Sequence, residues 1–435
     1  MSFSKLGLSD PILKAILDMG YSEPTAIQKK AIPAILQGKD IVAASQTGTG
    51  KTASFVLPLL ERLNVEHTHR GKRVRALIIT PTRELTEQVE TNVAQDAKYL
   101  DLTSLAMYGG IDSEPQRKRL IEGVDILVAT PGRLLEMIYQ RAVHFDELEI
   151  LVLDEADRML NMGFIDDINK VIDRLPTERQ SMLFSATLTD DVRFLANTVK
   201  DDAIEITISP KSTSAKTIDQ WLITVDLDTK SALLSHLIKD NDWDQALIFI
   251  EKKHGAAKLA SQLAKRGIVA EAIHGDRSQA MRAKILADFK SGELKFLIAT
   301  GVAARGIDIG QLSRVVNYDL PFKPEEYIHR IGRTGRAGAS GEAISFVAMG
   351  DFKKLCAIES RLGHIIKRKE IEGFPVRKVV PVSILNYVPK SKQKPKVQNN
   401  KAKNSTKRST TTPTKKSAKS VEKTTSKNQH IWGNK

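Results

Sequence analysis

At 435 residues the chain exceeds one ordinary hydrophobic core, so its length predicts two domains and an appendage. Hydrophobic residues make up 41% of it, enough for two cores, and 66 Lys and Arg against 52 Asp and Glu leave a formal charge of +14. That excess points to a polyanionic partner, nucleic acid or membrane surface. A single cysteine, Cys356, excludes an internal disulfide, no Cys/His group has zinc spacing, and no apolar run nears the ~18 residues of a membrane span. Met1-Ser2-Phe3-Ser4-Lys5 lacks the apolar run of a signal peptide, so the expectation is a soluble intracellular protein in a reducing compartment.

Along the chain, short apolar runs alternate with helix-length amphipathic segments, the pattern of a parallel sheet wrapped by helices. Strands are predicted at 40–44, 76–80, 125–129, 150–154 and 181–185, with a helix at 83–99 among the segments between them. Ser209-Pro210-Lys211-Ser212-Thr213-Ser214-Ala215 then interrupts the pattern with a helix breaker and polar residues, which places a boundary after Ile208. A second series follows at 221–225, 246–250, 295–299, 314–318 and 343–347, and the pattern fades after Ile371. From Lys390 to Lys435 there are 14 Lys or Arg against one acid, Glu422, so this stretch holds +13 of the +14. With almost nothing apolar to offset chain entropy, it is expected to be a disordered basic tail that tethers phosphates without reading sequence.

The sharpest local signal is Ser45-Gln46-Thr47-Gly48-Thr49-Gly50-Lys51-Thr52, between a predicted strand and an apolar helix. Glycines let backbone amides turn toward phosphate oxygens at a helix N-terminus, Lys51 suits the β- and γ-phosphates, and Thr52 suits Mg2+. The buried-strand pattern Ile150-Leu151-Val152-Leu153 runs into Asp154-Glu155-Ala156-Asp157. Acids at the carboxyl end of a parallel strand stand where such sheets bind ligands, so Asp154 is expected to hold Mg2+ and Glu155 to activate water. Either segment alone is also what a capped strand-to-helix turn looks like; their co-occurrence argues for an ATPase.

At these residues the sequence resembles the DEAD-box family of superfamily 2 helicases, and within it the bacterial RhlE-type proteins, over roughly residues 1–370. Gly20-Tyr21-Ser22-Glu23-Pro24-Thr25-Ala26-Ile27-Gln28 with Phe3 upstream resembles the family's Q motif, which implies that Gln28 reads the adenine edge and Phe3 packs near the base. Pro81-Thr82-Arg83-Glu84-Leu85, Gly109-Gly110 and Thr130-Pro131-Gly132-Arg133 resemble RNA-contact motifs. The resemblance assigns RNA contact to Pro81, Arg83, Gly110, Thr130, Pro131, Gly132 and Arg133, and ATP-to-RNA coupling to Ser185 and Thr187 in Ser185-Ala186-Thr187. In the second half, His274-Gly275-Asp276 with Gln279 and Arg282, then Thr300, imply further RNA contacts, and Asp308 contact with the nucleotide. The family often has an acid where Gly301 stands, so no side-chain role is carried over there. His329-Arg330-Ile331-Gly332-Arg333-Thr334-Gly335-Arg336 matches the segment that carries the family's arginine fingers, Arg333 and Arg336.

The fold class so implied is α/β, two tandem RecA-like domains with parallel sheets flanked by helices and a disordered basic tail. The expected division is 1–208 for domain one, 209–218 for a linker, 219–371 for domain two and 372–435 for the tail. No phosphate-binding loop is evident in the second half, so ATP is expected on domain one and completed across a cleft by arginines of domain two. The activity implied is RNA-stimulated ATP hydrolysis with local unwinding of short RNA duplexes or remodelling of RNA-protein complexes. ATP and Mg2+ are the cofactors, RNA the partner with ribosomal or RNA-decay complexes beside it, no membrane is involved, and the location is cytoplasmic. A DNA helicase or translocase on the same fold, and a non-catalytic RNA chaperone working through the tail, are the alternatives.

Overall fold

The computed structural model describes residues 2–45, 48–65, 73–199, 202–208, 218–301, 312–335 and 340–385. Gln46, Thr47, Asp308, Arg336, nearly all of the expected linker and the tail beyond residue 385 lie outside the described residues. Among the described residues, fourteen strands form two seven-stranded sheets, every pair of neighbours parallel.

The first sheet contains β1 (Ile41–Ala44), β2 (Ala76–Ile79), β3 (Ser104–Met107), β4 (Ile126–Ala129), β5 (Ile150–Leu153), β6 (Gln180–Ser185) and β7 (Ile204–Thr207) in the order β3-β4-β2-β5-β6-β1-β7. Its helices are α1 (Asp10–Asp18), α2 (Ala26–Leu36), α3 (Lys51–Leu63), α4 (Arg83–Asp96), α5 (Glu114–Glu122), α6 (Pro131–Tyr139), α7 (Ala156–Asn161), α8 (Ile165–Ile172) and α9 (Asp190–Val199). Two apolar clusters cover its two faces, as a parallel sheet requires. Ile27, Phe55, Leu59, Val89 and Val93 from α2, α3 and α4 pack on one face, and Leu134, Met159, Ile168 and Leu195 from α6 to α9 on the other. Because side chains alternate along a strand, Ile78 and Val152 serve the first cluster while Leu77 and Leu151 serve the second.

The second sheet is β8 (Ile218–Thr224), β9 (Ala246–Ile250), β10 (Ala270–Ile273), β11 (Phe296–Thr300), β12 (Arg314–Asn317), β13 (Gly341–Val347) and β14 (Lys367–Lys369), in the order β10-β11-β9-β12-β13-β8-β14. Its helices are α10 (Lys230–Asp240), α11 (Lys253–Ala264), α12 (Gln279–Ser291), α13 (Pro324–Ile331) and α14 (Phe352–Leu362).

Ten strands overlap the expected ones; β3, β7, β10 and β14 were not expected, and all four are sheet edges. The helix expected at 83–99 ends earlier, at Asp96. Packing also runs past residue 371: Val380 is 1% exposed among Leu222, Tyr327 and Ile358, and Arg368 donates to the Val380 carbonyl at 2.6 Å. Residues 372–385 therefore cover the second sheet's helices, whereas the sequence reading assigned them to the tail.

Candidate active site and nucleic-acid face

The carboxyl ends of β1, β5 and β6 converge on α3, the helix that begins at Lys51. Gly48 and Gly50 have φ of 80° and 87°, a region where a side chain is strained. Gly50 has a second reason to be glycine, since a Cβ there would stand 2.6 Å from Gln28 Nε2. Lys51 is 7% exposed and donates from Nζ to the Ser45 carbonyl at 2.6 Å and the Ser185 carbonyl at 3.4 Å. Burial lowers its pKa, and the charges of Asp154, Glu155 and Asp157 oppose that shift. An ammonium held by carbonyl dipoles in a desolvated pocket is poised for an anionic ligand. Ser45 and Thr49 share a hydroxyl–hydroxyl bond of 2.8 Å that braces the loop.

Asp154 follows β5 and is 3% exposed. Its Oδ1 accepts the Glu155 N–H at 2.9 Å, and burial together with the neighbouring Glu155 charge pushes its pKa up to about 7. Glu155 caps α7 from a left-handed conformation, φ 53°, unusual for a residue with a Cβ and common at functional turns. Its carboxylate pairs with Arg158 one turn on. Asp157 Oδ2 accepts from the Thr187 hydroxyl and Oδ1 from the Ala186 N–H, both at 3.3 Å, while Ser185 Oγ donates to the Thr187 carbonyl at 2.7 Å. The two residues assigned to coupling are thus tied to the acidic segment. Asp157 was not among the expected site residues, although its place in Asp-Glu-Ala-Asp could have drawn attention to it.

These groups border one cleft of about 530 Å³. Gly48, Gly50, Lys51, Thr52, Asp154 and Glu155 line one end; Phe3, Gly20, Tyr21, Glu23 and Gln28 line the Q-motif wall; α4 contributes Leu85, Gln88, Asn92 and Asp96; and Arg333 enters from the second sheet's side. Phe3 is 5% exposed and belongs to the first apolar cluster, so the wall it forms is anchored in the core. Gln28 accepts the Thr25 N–H at 2.8 Å, capping α2, and donates to the Gly50 carbonyl at 3.2 Å. Arg333, 6% exposed, follows α13, where His329 has its pKa lowered by burial beside Asp157 and Arg158.

The first-half residues assigned to RNA follow strands of the same sheet at their carboxyl ends. Arg83 begins α4, and its guanidinium occupies the space where a Cβ of Gly110, φ 85°, would project. Pro81 and Thr130 are buried at the ends of β2 and β4, with Thr130 N–H bonded to the Met107 carbonyl at 3.0 Å. Pro131 opens α6, Gly132 is exposed, and Arg133, 7% exposed, donates to the Ile111 carbonyl at 2.8 Å and pairs with Glu136 at 2.9 Å. Gln279 starts α12 with Oε1 buried and without a partner, and Thr300 ends β11 half-buried. Arg282 meets the Glu84 carboxylate at 2.5 Å, both side chains under a tenth exposed. This contact joins the two sheets' motif segments directly. Glu84 was missed as a site residue, because a partner roughly 200 residues away in sequence leaves no local signal. Lys323 reaches Asn161 at 2.5 Å as a second bridge.

The chain matches the DEAD/DEAH box helicase model over residues 25–195 and the helicase conserved C-terminal domain model over residues 229–338. It is 44% identical over 357 residues to the ATP-dependent RNA helicase CshA of Listeria monocytogenes, covering 82% of this chain and 68% of that one. It is 40% identical over 394 residues to the ATP-dependent RNA helicase DbpA of Bacillus subtilis, covering 90% and 81%. A structure of S. cerevisiae Dbp5 bound to RNA and ADP BeF3 matches with a TM-score of 0.77 at 34% identity, covering 85% of this chain and 95% of that one. A DEAD box protein of Methanococcus jannaschii matches with 0.50 at 40% identity, covering 85% and 99%. A two-sheet α/β protein with a phosphate loop, strand-end acids and an arginine from its second half is a helicase core of the RecA-like type. The chain belongs to the DEAD-box helicase family.

Proposed function

We propose that this chain is an ATP-dependent RNA helicase whose active site is built across its two RecA-like domains, and that it hydrolyses ATP when RNA holds those domains together. The observation that carries this reading is Arg333, from the second domain, lining the cleft of Lys51, Asp154 and Glu155. The division at 1–208, 209–218 and 219–371 and a cytoplasmic, RhlE-like assignment belong to the same proposal, with packing extended to residue 385.

In this mechanism the loop amides and Lys51 hold the triphosphate, and Glu155 accepts the proton of the attacking water. Arg333, with Arg336, meets the charge that develops on the transferred phosphoryl group. A divalent ion fits the site: Asp154 is a buried carboxyl with one oxygen already engaged, and Thr52, a hydroxyl residue, lines the same cleft. Mg2+ held by Thr52 and Asp154 would neutralise phosphate charge. No described helix is long and apolar enough to cross a membrane.

RNA lies across Arg83, Gly110, Thr130–Arg133 segments of the first domain and Gln279, Arg282 and Thr300 of the second, contacting phosphates and 2′-hydroxyls. By reciprocity ATP then strengthens RNA binding as much as RNA strengthens ATP binding. The test is phosphate release from ATP with matched RNA and DNA oligonucleotides, alongside strand separation of a short RNA duplex. RNA-selective stimulation is expected. Equal stimulation by DNA would favour a DNA translocase, and no hydrolysis with either would favour a passive chaperone.

A further inference from the structure

Helix α4 carries a polar stripe along the nucleotide cleft that the activity described so far does not use. Gln88, Asn92 and Asp96 recur on one face below Leu85, which borders the cleft from the core, while Val89 and Val93 turn into the core. From Leu85 to Asp96 the helix advances by about 16 Å. The cleft therefore extends well beyond the phosphate end at Lys51 and Asp154.

Its far end holds an anomaly. Asp96 is 3% exposed, its Oδ1 is buried with no hydrogen-bond partner, and it borders the cleft. Burial alone pushes its pKa up to about 7, with no neighbouring cation acting against the shift. A buried carboxyl without a partner costs a protein free energy, and the fold offers an inexpensive alternative, an apolar residue continuing Val89 and Val93. Such a group is expected where a ligand supplies the missing donor. The same cleft is lined by Phe3, Gly20 and Tyr21, aromatic and backbone surface suited to a nucleoside.

We propose that Asp96, flanked by Asn92, is a specificity group of the nucleotide site that accepts a hydrogen bond from the nucleoside of bound ATP. This inference rests on reading the cleft as an ATP site. Triphosphate anchored at Lys51 directs the nucleoside along α4 toward Asp96. The nucleoside carries three candidate donors, the 2′-hydroxyl, the 3′-hydroxyl and the purine amine, and a carboxylate accepts any of them.

The experiment compares wild type, Asp96→Leu and Asp96→Asn for binding of ATP, 2′-deoxyATP, 3′-deoxyATP and purine riboside triphosphate, by calorimetry on the full chain with thermal melting in parallel. Asp96→Leu should fold with an unchanged or raised melting temperature, because an unpaired buried acid is removed, yet bind ATP about ten-fold or more weakly. One analogue should weaken wild-type binding by a similar factor and show no further loss with Asp96→Leu, which names the donor. Asp96→Asn, which retains an acceptor oxygen, should fall between the two. Wild-type affinity in Asp96→Leu would overturn the proposal, as would an equal loss for every analogue, which would mean that Asp96 acts only on the shape of the cleft. Failure of the wild-type chain to bind ATP would instead overturn the nucleotide site itself.

Discussion

The two sheets have the same strand order, each strand of the second standing seven places after its counterpart in the first. The likeness reaches single residues. The helix after β1 begins at Lys51 and the helix after β8 at Lys230, 7% and 2% exposed; β5 is followed by Asp154, and β12 runs on through Tyr318 to Asp319. In the first domain, however, Lys51 rests on carbonyl oxygens, whereas Lys230 is bonded to the Tyr318 carbonyl at 2.7 Å and to Asp319 at 3.0 Å, with Asp351 at 3.8 Å. The loops differ in the same sense. Gly48 and Gly50 take left-handed conformations before Lys51, while residues 225–229 contain no glycine and two acids, Asp226 and Asp228, both paired with Arg377. A buried lysine whose direct bonds are to carbonyl oxygens can exchange them for a ligand's phosphates. One neutralised by carboxylates, behind an acidic loop, holds its own domain together instead.

If the second domain lends an arginine rather than a second site, Arg333→Ala should produce the largest effect. Turnover at saturating ATP and RNA is expected to fall by about 10³ to 10⁵, with nucleotide affinity nearly unchanged and little rescue by Arg333→Lys, which lacks the planar fork. Steady-state kinetics would decide it, and normal turnover would end the two-domain site. Glu155→Gln should follow, losing about 10² to 10⁴ in hydrolysis while still binding ATP and RNA. Single-turnover phosphate release checks this; a rate within a few-fold of wild type would remove Glu155 as the base.

A crossed pair of lysine variants sharpens the comparison further. Lys51→Met should weaken ATP binding with little loss of stability, whereas Lys230→Met should leave ATP affinity within about two-fold and cost roughly 2–4 kcal/mol of stability, because it removes the cation bonded to Asp319 while Asp351 keeps Lys354. Denaturant titration and calorimetry on both variants would reveal any exchange of these phenotypes. The smallest effect belongs to Arg377→Ala. The Arg377 backbone N–H and guanidinium hold the Asp226 carboxyl below its ordinary range. Their contribution is therefore present above about pH 4 and lost as pH falls through the lowered value. Melting temperatures of variant and wild type should differ slightly at pH 7 and converge as pH falls below the lowered Asp226 value; a difference that persists in stronger acid would point to packing instead.

The interior of both sheets was legible because a strand buried on both faces reads as an unbroken apolar run: Ile150-Leu151-Val152-Leu153 leaves little choice. Edge strands carry no such demand. β7 reads Ile-Glu-Ile-Thr with only Ile206 buried, and β14 is Lys-Arg-Lys, so their identity comes from neighbours and not from composition. The same distinction runs through the site. Lys51, Asp154 and Glu155 sit at strand ends whose chemistry is local, while the Glu84–Arg282 pair exists only after both domains fold. Asp96 was hidden for another reason: in Ala94-Gln95-Asp96-Ala97 an acid looks like one more solvated helix residue, and only tertiary burial makes it unusual. Likewise Val380 is one of several apolar residues between 376 and 385, and nothing local marks it as the one that packs while Val379, Val382 and Ile384 stay exposed.

The amide of Gln28 has a consequence for how this enzyme can evolve. Its oxygen caps α2 and its nitrogen bonds the Gly50 carbonyl, filling the volume that a side chain at residue 50 would need. Drift at either position is therefore penalised twice, once in the cap, worth about 1 kcal/mol, and once in the set of the phosphate loop. A lineage that replaced Gln28 would have to acquire a new cap for α2 and a new setting for the phosphate loop together, so change at this position passes through a helix end as well as through the cleft.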